Sequence, residues 1–193
     1  MDVTKPNNLH ILDREEYSQY FFEADCEPIA WAELDEEDWF GYELSGEFAC
    51  YAFGRCGDGG NFCVWVKNNS VVHIDSEGSR GCVARDFTHF IQLLGSLGTN
   101  YKSVVMHSPF YRTTLADSSE LDFSQDLAEP VKKILGLLDL WKKQDSGSND
   151  RASNFSVLCK DLNVSVLSEE DACRQILEAG RDFFFDPPFS EEE

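Results

Sequence analysis

Residues 47–74 read EFACYAFGRCGDGGNFCVWVKNNSVVHI, and the parsing of this stretch decides the fold. Glu47 to Phe53 alternates toward aromatic and small apolar residues, the pattern of a half-buried strand. Cys56-Gly57-Asp58-Gly59-Gly60 is a turn cluster, because glycine adopts backbone angles that side-chained residues resist. Gly59 and Gly60 are both expected to need such angles. Asn61 to Val66 is a second strand rich in Val and aromatics, followed by the polar turn Lys67-Asn68-Asn69-Ser70. Val71 to Ile74 is a third. Three strands joined by short turns form an antiparallel meander.

Beyond the meander the period changes. From Asp86 onward, apolar residues fall at Phe87, Phe90, Ile91, Leu93, Leu94 and Leu97, the spacing of an amphipathic helix, with Gly95 and Gly98 marking its end. A sheet followed by a packing helix is α+β architecture. Residues 115–126 are polar and read as loop. Glu129-Pro130 opens a helix, with Pro in its first turn and Val131, Ile134, Leu135, Leu138 and Trp141 on one side. QDSGSNDRAS at 144–153 has the composition of a linker. Ser168 is a good N-cap, with Glu169, Glu170 and Asp171 in the first turn of a helix running to about Ala179. DPPFSEEE at 186–193 reads as a solvated tail. With no internal repeat, residues 1–193 are expected to form a single domain. Its core sheet and helix span about 46–97, and its helical C-terminal part about 129–180.

Charge sets the chain apart. Its 193 residues carry 36 Asp plus Glu against 16 Lys plus Arg, a net −20. The excess is uneven: residues 1–50 hold a net −12, residues 51–100 are neutral, residues 101–150 hold −2 and residues 151–193 hold −6. Such a field repels nucleic acid and anionic membrane surfaces and draws in cationic partners. Acidity can also serve solubility alone. The opening stretch MDVTKPNNLHILDREEY has no charged-then-apolar leader, and no stretch approaches the ~18 apolar residues of a membrane span. Seven Cys without a C-x-x-C pair read as buried, reduced thiols rather than a zinc knuckle or a disulfide framework. A cytoplasmic, reducing location is therefore expected.

Catalysis should leave convergent, activatable groups. The four His (His10, His73, His89, His107) are scattered, without partners at metal-ligand spacing. His73 lies inside a strand between Val72 and Ile74 and reads as structural. His89, near Asp86, is expected to serve the helix cap or to face solvent. Ser79 lacks a neighbouring base. The glycine turn lacks the G-x-x-x-x-G-K-[ST] pattern and leads into a strand, so it is no phosphate loop. Asp75, Glu77 and Asp86 have no ligand spacing that would mark a metal site. No catalytic residue, cofactor or metal is expected.

One ordered set of residues carries a family resemblance. It comprises Gly46-Glu47-Phe48, then Phe53-Gly54 with Gly57-Asp58-Gly59-Gly60, a strand with Trp65, and Val71-Val72 with Asp75-Ser76-Glu77-Gly78. Val83-Ala84-Arg85-Asp86-Phe87 then leads to Phe90-Ile91 and Leu93-Leu94. This resembles the central segment of the SUKH superfamily, which joins yeast cell-wall regulators linked to killer-toxin resistance with many bacterial immunity proteins. The resemblance covers residues 46–97, about a quarter of the chain, and is a pattern of turns and aromatics. The helix from Ser168 followed by Phe183-Phe184-Phe185-Asp186 resembles the family's helical C-terminal end more loosely. At the start the chain departs from the pattern: Cys26-Glu27-Pro28-Ile29 stands where members open with a helix and a Leu-Pro step. The resemblance implies an α+β fold with a curved antiparallel sheet and flanking helices. It also implies binding and neutralising a partner, often the toxin domain of a polymorphic toxin system, without a catalytic centre.

Charge and resemblance together lead to an immunity-type protein that neutralises a cognate toxin with a basic, nuclease-like surface. The expected partner-binding residues are Glu33, Asp35, Glu36, Glu37 and Asp38 with the flanking aromatics Trp31, Trp39 and Phe40. Taken alone, such a charge run is a solvated face, and core packing is the ordinary role for at least one of these Trp. Two alternatives stay open: an intracellular regulatory scaffold that binds signalling or cell-wall synthesis proteins, and an enzyme with no recognisable motif. Oligomeric state is not legible.

Overall fold

The computed structural model describes residues 9–29, 46–111, 121–144 and 151–185. Five strands, β1 (Glu27–Pro28), β2 (Cys50–Arg55), β3 (Asn61–Trp65), β4 (Val71–Ile74) and β5 (Arg80–Ala84), form one antiparallel sheet in sequence order. Six helices accompany it: α1 (Glu15–Glu23), α2 (Phe87–Leu97), α3 (Tyr101–Met106), α4 (Ala128–Gln144), α5 (Arg151–Asp161) and α6 (Glu169–Asp182). The α+β meander expected from residues 47–74 is present, extended by a strand on each side. Gly46–Phe48 is a 3-10 turn, so β2 starts later than the alternation suggested.

Alternation along the strands gives the sheet two apolar faces. On one, Phe53, Phe62, Val64, Val71 and Val83 join Phe87, Phe90, Ile91 and Leu94 of α2, together with buried side chains of α1, α5 and α6. On the other, Ala52, Cys63, Trp65, Val72, Ile74 and Cys82 meet Ala179 and Phe185, with Phe48 stacked on Trp65. Two bulges tune this division. Ala52 faces Cys63 while Gly54 faces Phe62, leaving Phe53 as an extra residue; likewise Val83 is extra between the Val71–Ala84 and Val72–Cys82 pairs. Each bulged residue turns into the helix-covered face.

Helix ends follow local chemistry. The Asp86 carboxylate accepts the His89 amide at 2.8 Å and starts α2, and Gly98 at φ 56° ends it. Gly95, expected at the helix end, lies inside α2. A Cβ there would stand 2.2 Å from the Cys159 sulfur, so glycine lets α5 pack closely. Ser168 caps α6 by accepting the Asp171 amide at 3.1 Å, and α6 runs to Asp182 rather than Ala179. The linker expected over 144–153 is corrected at its end, since Arg151 already begins α5. This helix shows only a thin apolar stripe, Phe155, Leu158 and Cys159, which its polar residues mask in the sequence. The tail at 186–193 and part of the expected 115–126 loop fall outside the described residues. No described helix is long and apolar enough to cross a membrane.

Candidate functional site

The residues named for partner binding, Trp31, Glu33, Asp35, Glu36, Glu37, Asp38, Trp39 and Phe40, lie outside the described residues. What the fold brings together instead is a polar cluster at the β2–β3 turn. Cys56 follows β2 and Asp58 lies in the turn; Asp25 follows α1, His73 lies on β4, Lys102 on α3 and Tyr111 after it. None of these is near another in a recognisable motif, which is why sequence reading missed the set.

Two networks meet here. The Lys102 ammonium is clamped between the carboxylates of Asp25 and Asp58, the latter at 2.7 Å. Burial alone would lower the lysine pKa, but the bonds to Asp25 and Asp58 outweigh it and raise it. Asp58 is held below its ordinary value: burial works against this, and Lys102 with the Gly60 amide overcomes it. Asp25 also accepts the Gly57 amide at 2.7 Å, tying the end of α1 to the turn. Beside this clamp, the Cys56 sulfur lies 3.3 Å from His73 Nε2, and His73 Nδ1 lies 2.6 Å from the Tyr111 hydroxyl.

A thiol beside an imidazole is the arrangement of a nucleophilic cysteine, so protonation decides what the pair can do. Burial pushes the Cys56 thiol up to about 12, with the Lys102 charge opposing only in part. Burial, reinforced by Lys102, lowers His73 to about 4. Both groups are therefore neutral near pH 7, the reverse of a thiolate–imidazolium pair. Tyr111 is pushed up by burial and by the carboxylates of Asp75 and Asp58. The arrangement that serves every group has the thiol donating to Nε2 and Nδ1–H donating to the phenol oxygen.

Asp25, Cys56 and Asp58 also offer three possible metal-ligand atoms within 4.8 Å of one another, a set the His and Cys spacings gave no hint of. Lys102 already supplies the cation that the two carboxylates require. Asp75, Glu77 and Asp86 do not converge. Asp75 accepts the amides of Glu77 and Ser79 at 2.9 and 2.7 Å, while Asp86 caps α2. His89, expected at a cap or in solvent, contributes its amide to the cap, but its ring is buried. Nδ1 accepts the Arg85 amide at 3.1 Å and Nε2 meets Gln175 of α6 at 2.7 Å. Its pKa is lowered by burial, against the opposing bond to Gln175.

A second feature lies on α1. Phe22 is 67% exposed, and seven positions earlier, on the same helical face, stands the exposed Glu15; Glu16 and Gln19 are exposed beside it. The opposite side of α1 is anchored by Tyr17 and Phe21, with the Tyr17 hydroxyl bonded to Asp161 of α5. An aromatic ring thus stands in solvent on a fixed helix, with one exposed carboxylate, Glu15, two turns away on the same face, while Glu16 pairs with Arg14. The chain matches no protein-family model, no curated protein and no solved structure.

Proposed function

We propose that this chain is a cytosolic immunity-type protein of the SUKH kind, which binds and neutralises a toxin domain bearing a basic surface. The observation that carries the reading is the solvent-facing Phe22 on α1, two helical turns from the exposed Glu15, in a chain of net −20. An exposed aromatic anchor supplies contact energy, and the chain's net negative charge supplies long-range attraction to a basic partner. α1 leads through β1 toward residues 31–40, so the same character continues along the chain in Trp31, Glu33, Asp35, Glu36, Glu37, Asp38, Trp39 and Phe40. The polar cluster supports binding over catalysis, because its thiol and imidazole are both neutral near pH 7 and its ammonium is paired with two carboxylates. The α+β meander with flanking helices is compatible with the family that the residue pattern resembles.

The test is co-expression. A protein co-purified with this chain at low salt is expressed alone and then together with it. The reading expects growth arrest in the first case, relief in the second, and weaker relief with Phe22→Ala. A partner that is harmless alone would move the assignment to a regulatory scaffold. A toxic partner whose effect this chain does not relieve would contradict neutralisation outright.

A further inference from the structure

The edge strand brings two thiols, Cys26 and Cys56, toward one face of β2. β1 pairs with β2 through Glu27 opposite Arg55 and Pro28 opposite Gly54; one further step of the same antiparallel register would set Cys26 opposite Cys56. The hydrogen-bond phase identifies the kind of pair. The Ile29 amide donates to the Phe53 carbonyl at 2.9 Å, whereas the Cys56 amide points the other way, to the Gly60 carbonyl at 2.8 Å. Extended by that step, the two cysteines would fall at a non-hydrogen-bonded position, the kind of site where facing Cα atoms stand about 4.5 Å apart and side chains are closest. A disulfide spans Cα separations of about 4.4–6.8 Å. The Cys26 sulfur lies 2.3 Å from where a Cβ on Gly54 would stand, which puts it on the face of β2 that Gly54 shares with Cys56. The contact between Gly57 and Asp25 holds the two segments together one residue further on. By contrast, Cys63 and Cys82 both face Val72 from opposite sides, which keeps them two strand spacings apart.

We propose that Cys26 and Cys56 form a peroxide-oxidisable dithiol whose disulfide fastens the edge strand β1 to β2. Cys56 reacts first, being 6% exposed where Cys26 is wholly buried, and hydrogen peroxide is small enough to reach it. His73 Nε2, 3.3 Å away, takes the thiol proton. The sulfur attacks one peroxide oxygen, the O–O bond breaks, and the departing hydroxide leaves as water with that proton, giving a sulfenic acid. The Cys26 sulfur then attacks the Cys56 sulfur; the S–S bond forms, the S–O bond breaks, and the hydroxide leaves as water with the Cys26 proton. Two thiols lose two electrons and two protons, and one hydrogen peroxide becomes two waters. The neutral, buried state of both thiols makes the step slow, as befits a response to oxidant load rather than a catalytic cycle. β1 is two residues long and, among the described residues, pairs on one side only, so it has much to gain from a covalent tie.

Peptide mapping under non-reducing conditions after hydrogen peroxide treatment tests the assignment. The expected result is a Cys26–Cys56-linked peptide as the first disulfide to appear, reversed by dithiothreitol and accompanied by a higher melting temperature. Cys26→Ala should leave Cys56 as a sulfenic acid that dimedone traps, and Cys56→Ala should leave Cys26 unmodified over the same interval. A different first disulfide, advance of Cys56 to sulfinic acid without linkage in the unsubstituted chain, or no oxidation at all would each overturn it.

Discussion

His73 is strongly conditioned by its surroundings. Its ring is wholly buried, stacked near Phe62 and Tyr111, and faced by Cys56, Lys102 and the carboxylates of Asp58, Asp75 and Asp25. In the folded chain it titrates near 4, against 6.5 for an unhindered histidine. Between those values the unfolded chain holds a proton that the folded chain does not, so stability rises with pH through that window and is lost on acidification. Integrated over the shift, the loss approaches about 3 kcal/mol below pH 4. Replacing His73 with Asn removes this contribution, so the slope of unfolding free energy against pH between 6.5 and 4 should flatten relative to the unsubstituted chain. Equal slopes would mean that the imidazole is already protonated in the fold. At the turn, Gly59 has the expected left-handed backbone, φ 89°, but Gly60 is needed for another reason. A Cβ on Gly60 would lie 2.8 Å from both the Asp75 Cα and the Ile74 carbonyl, so neighbouring backbone would have to move. Gly60→Val should therefore cost on the order of 1–3 kcal/mol, read as a lower denaturation midpoint; an unchanged midpoint would contradict the close approach of the turn to the end of β4.

At the scale of elements, legibility followed apolar content and length. β3, β4, α2, α4 and α6 were readable because each places bulky apolar residues at one clear period, as Phe87, Phe90, Ile91 and Leu94 do in α2. β1 was not, since two residues with a proline carry no period, and β5 was not, since Arg80 and Gly81 interrupt the apolar run. α5 hides its stripe among Ser, Asn and Lys and gains its place from tertiary packing rather than propensity. That packing runs through Gly95, where α2 meets the Cys159 sulfur. Gly95→Ala should cost about 1–2 kcal/mol despite its better helix propensity, because the added methyl must displace that sulfur. Adding Cys159→Ala, which removes the sulfur, should recover stability beyond the sum of the single changes in a double-mutant cycle. Simple additivity would show that α2 and α5 do not touch there.

For the whole molecule, two properties are separate in origin. The polar cluster at the β2–β3 turn is assembled from α1, β2, β4, α3 and the loop beyond α3, so only the tertiary fold could reveal it. The charge, by contrast, is legible in composition, with a net −12 in the first fifty residues. Phe22 escaped sequence reading because α1 itself did: its apolar positions Tyr17, Phe21 and Phe22 are few, and only the fold shows which of them stays outside. A steering field acts mainly on the rate of encounter, and salt screens it. The most direct test of acidic partner capture is the association rate, measured by stopped flow at low salt, of the co-purified partner with this chain and with its Glu36→Lys/Glu37→Lys form. The prediction is an association slowed by roughly tenfold or more in the doubly substituted chain, with added salt slowing the unsubstituted chain in the same direction. Association as fast as that of the unsubstituted chain would contradict it.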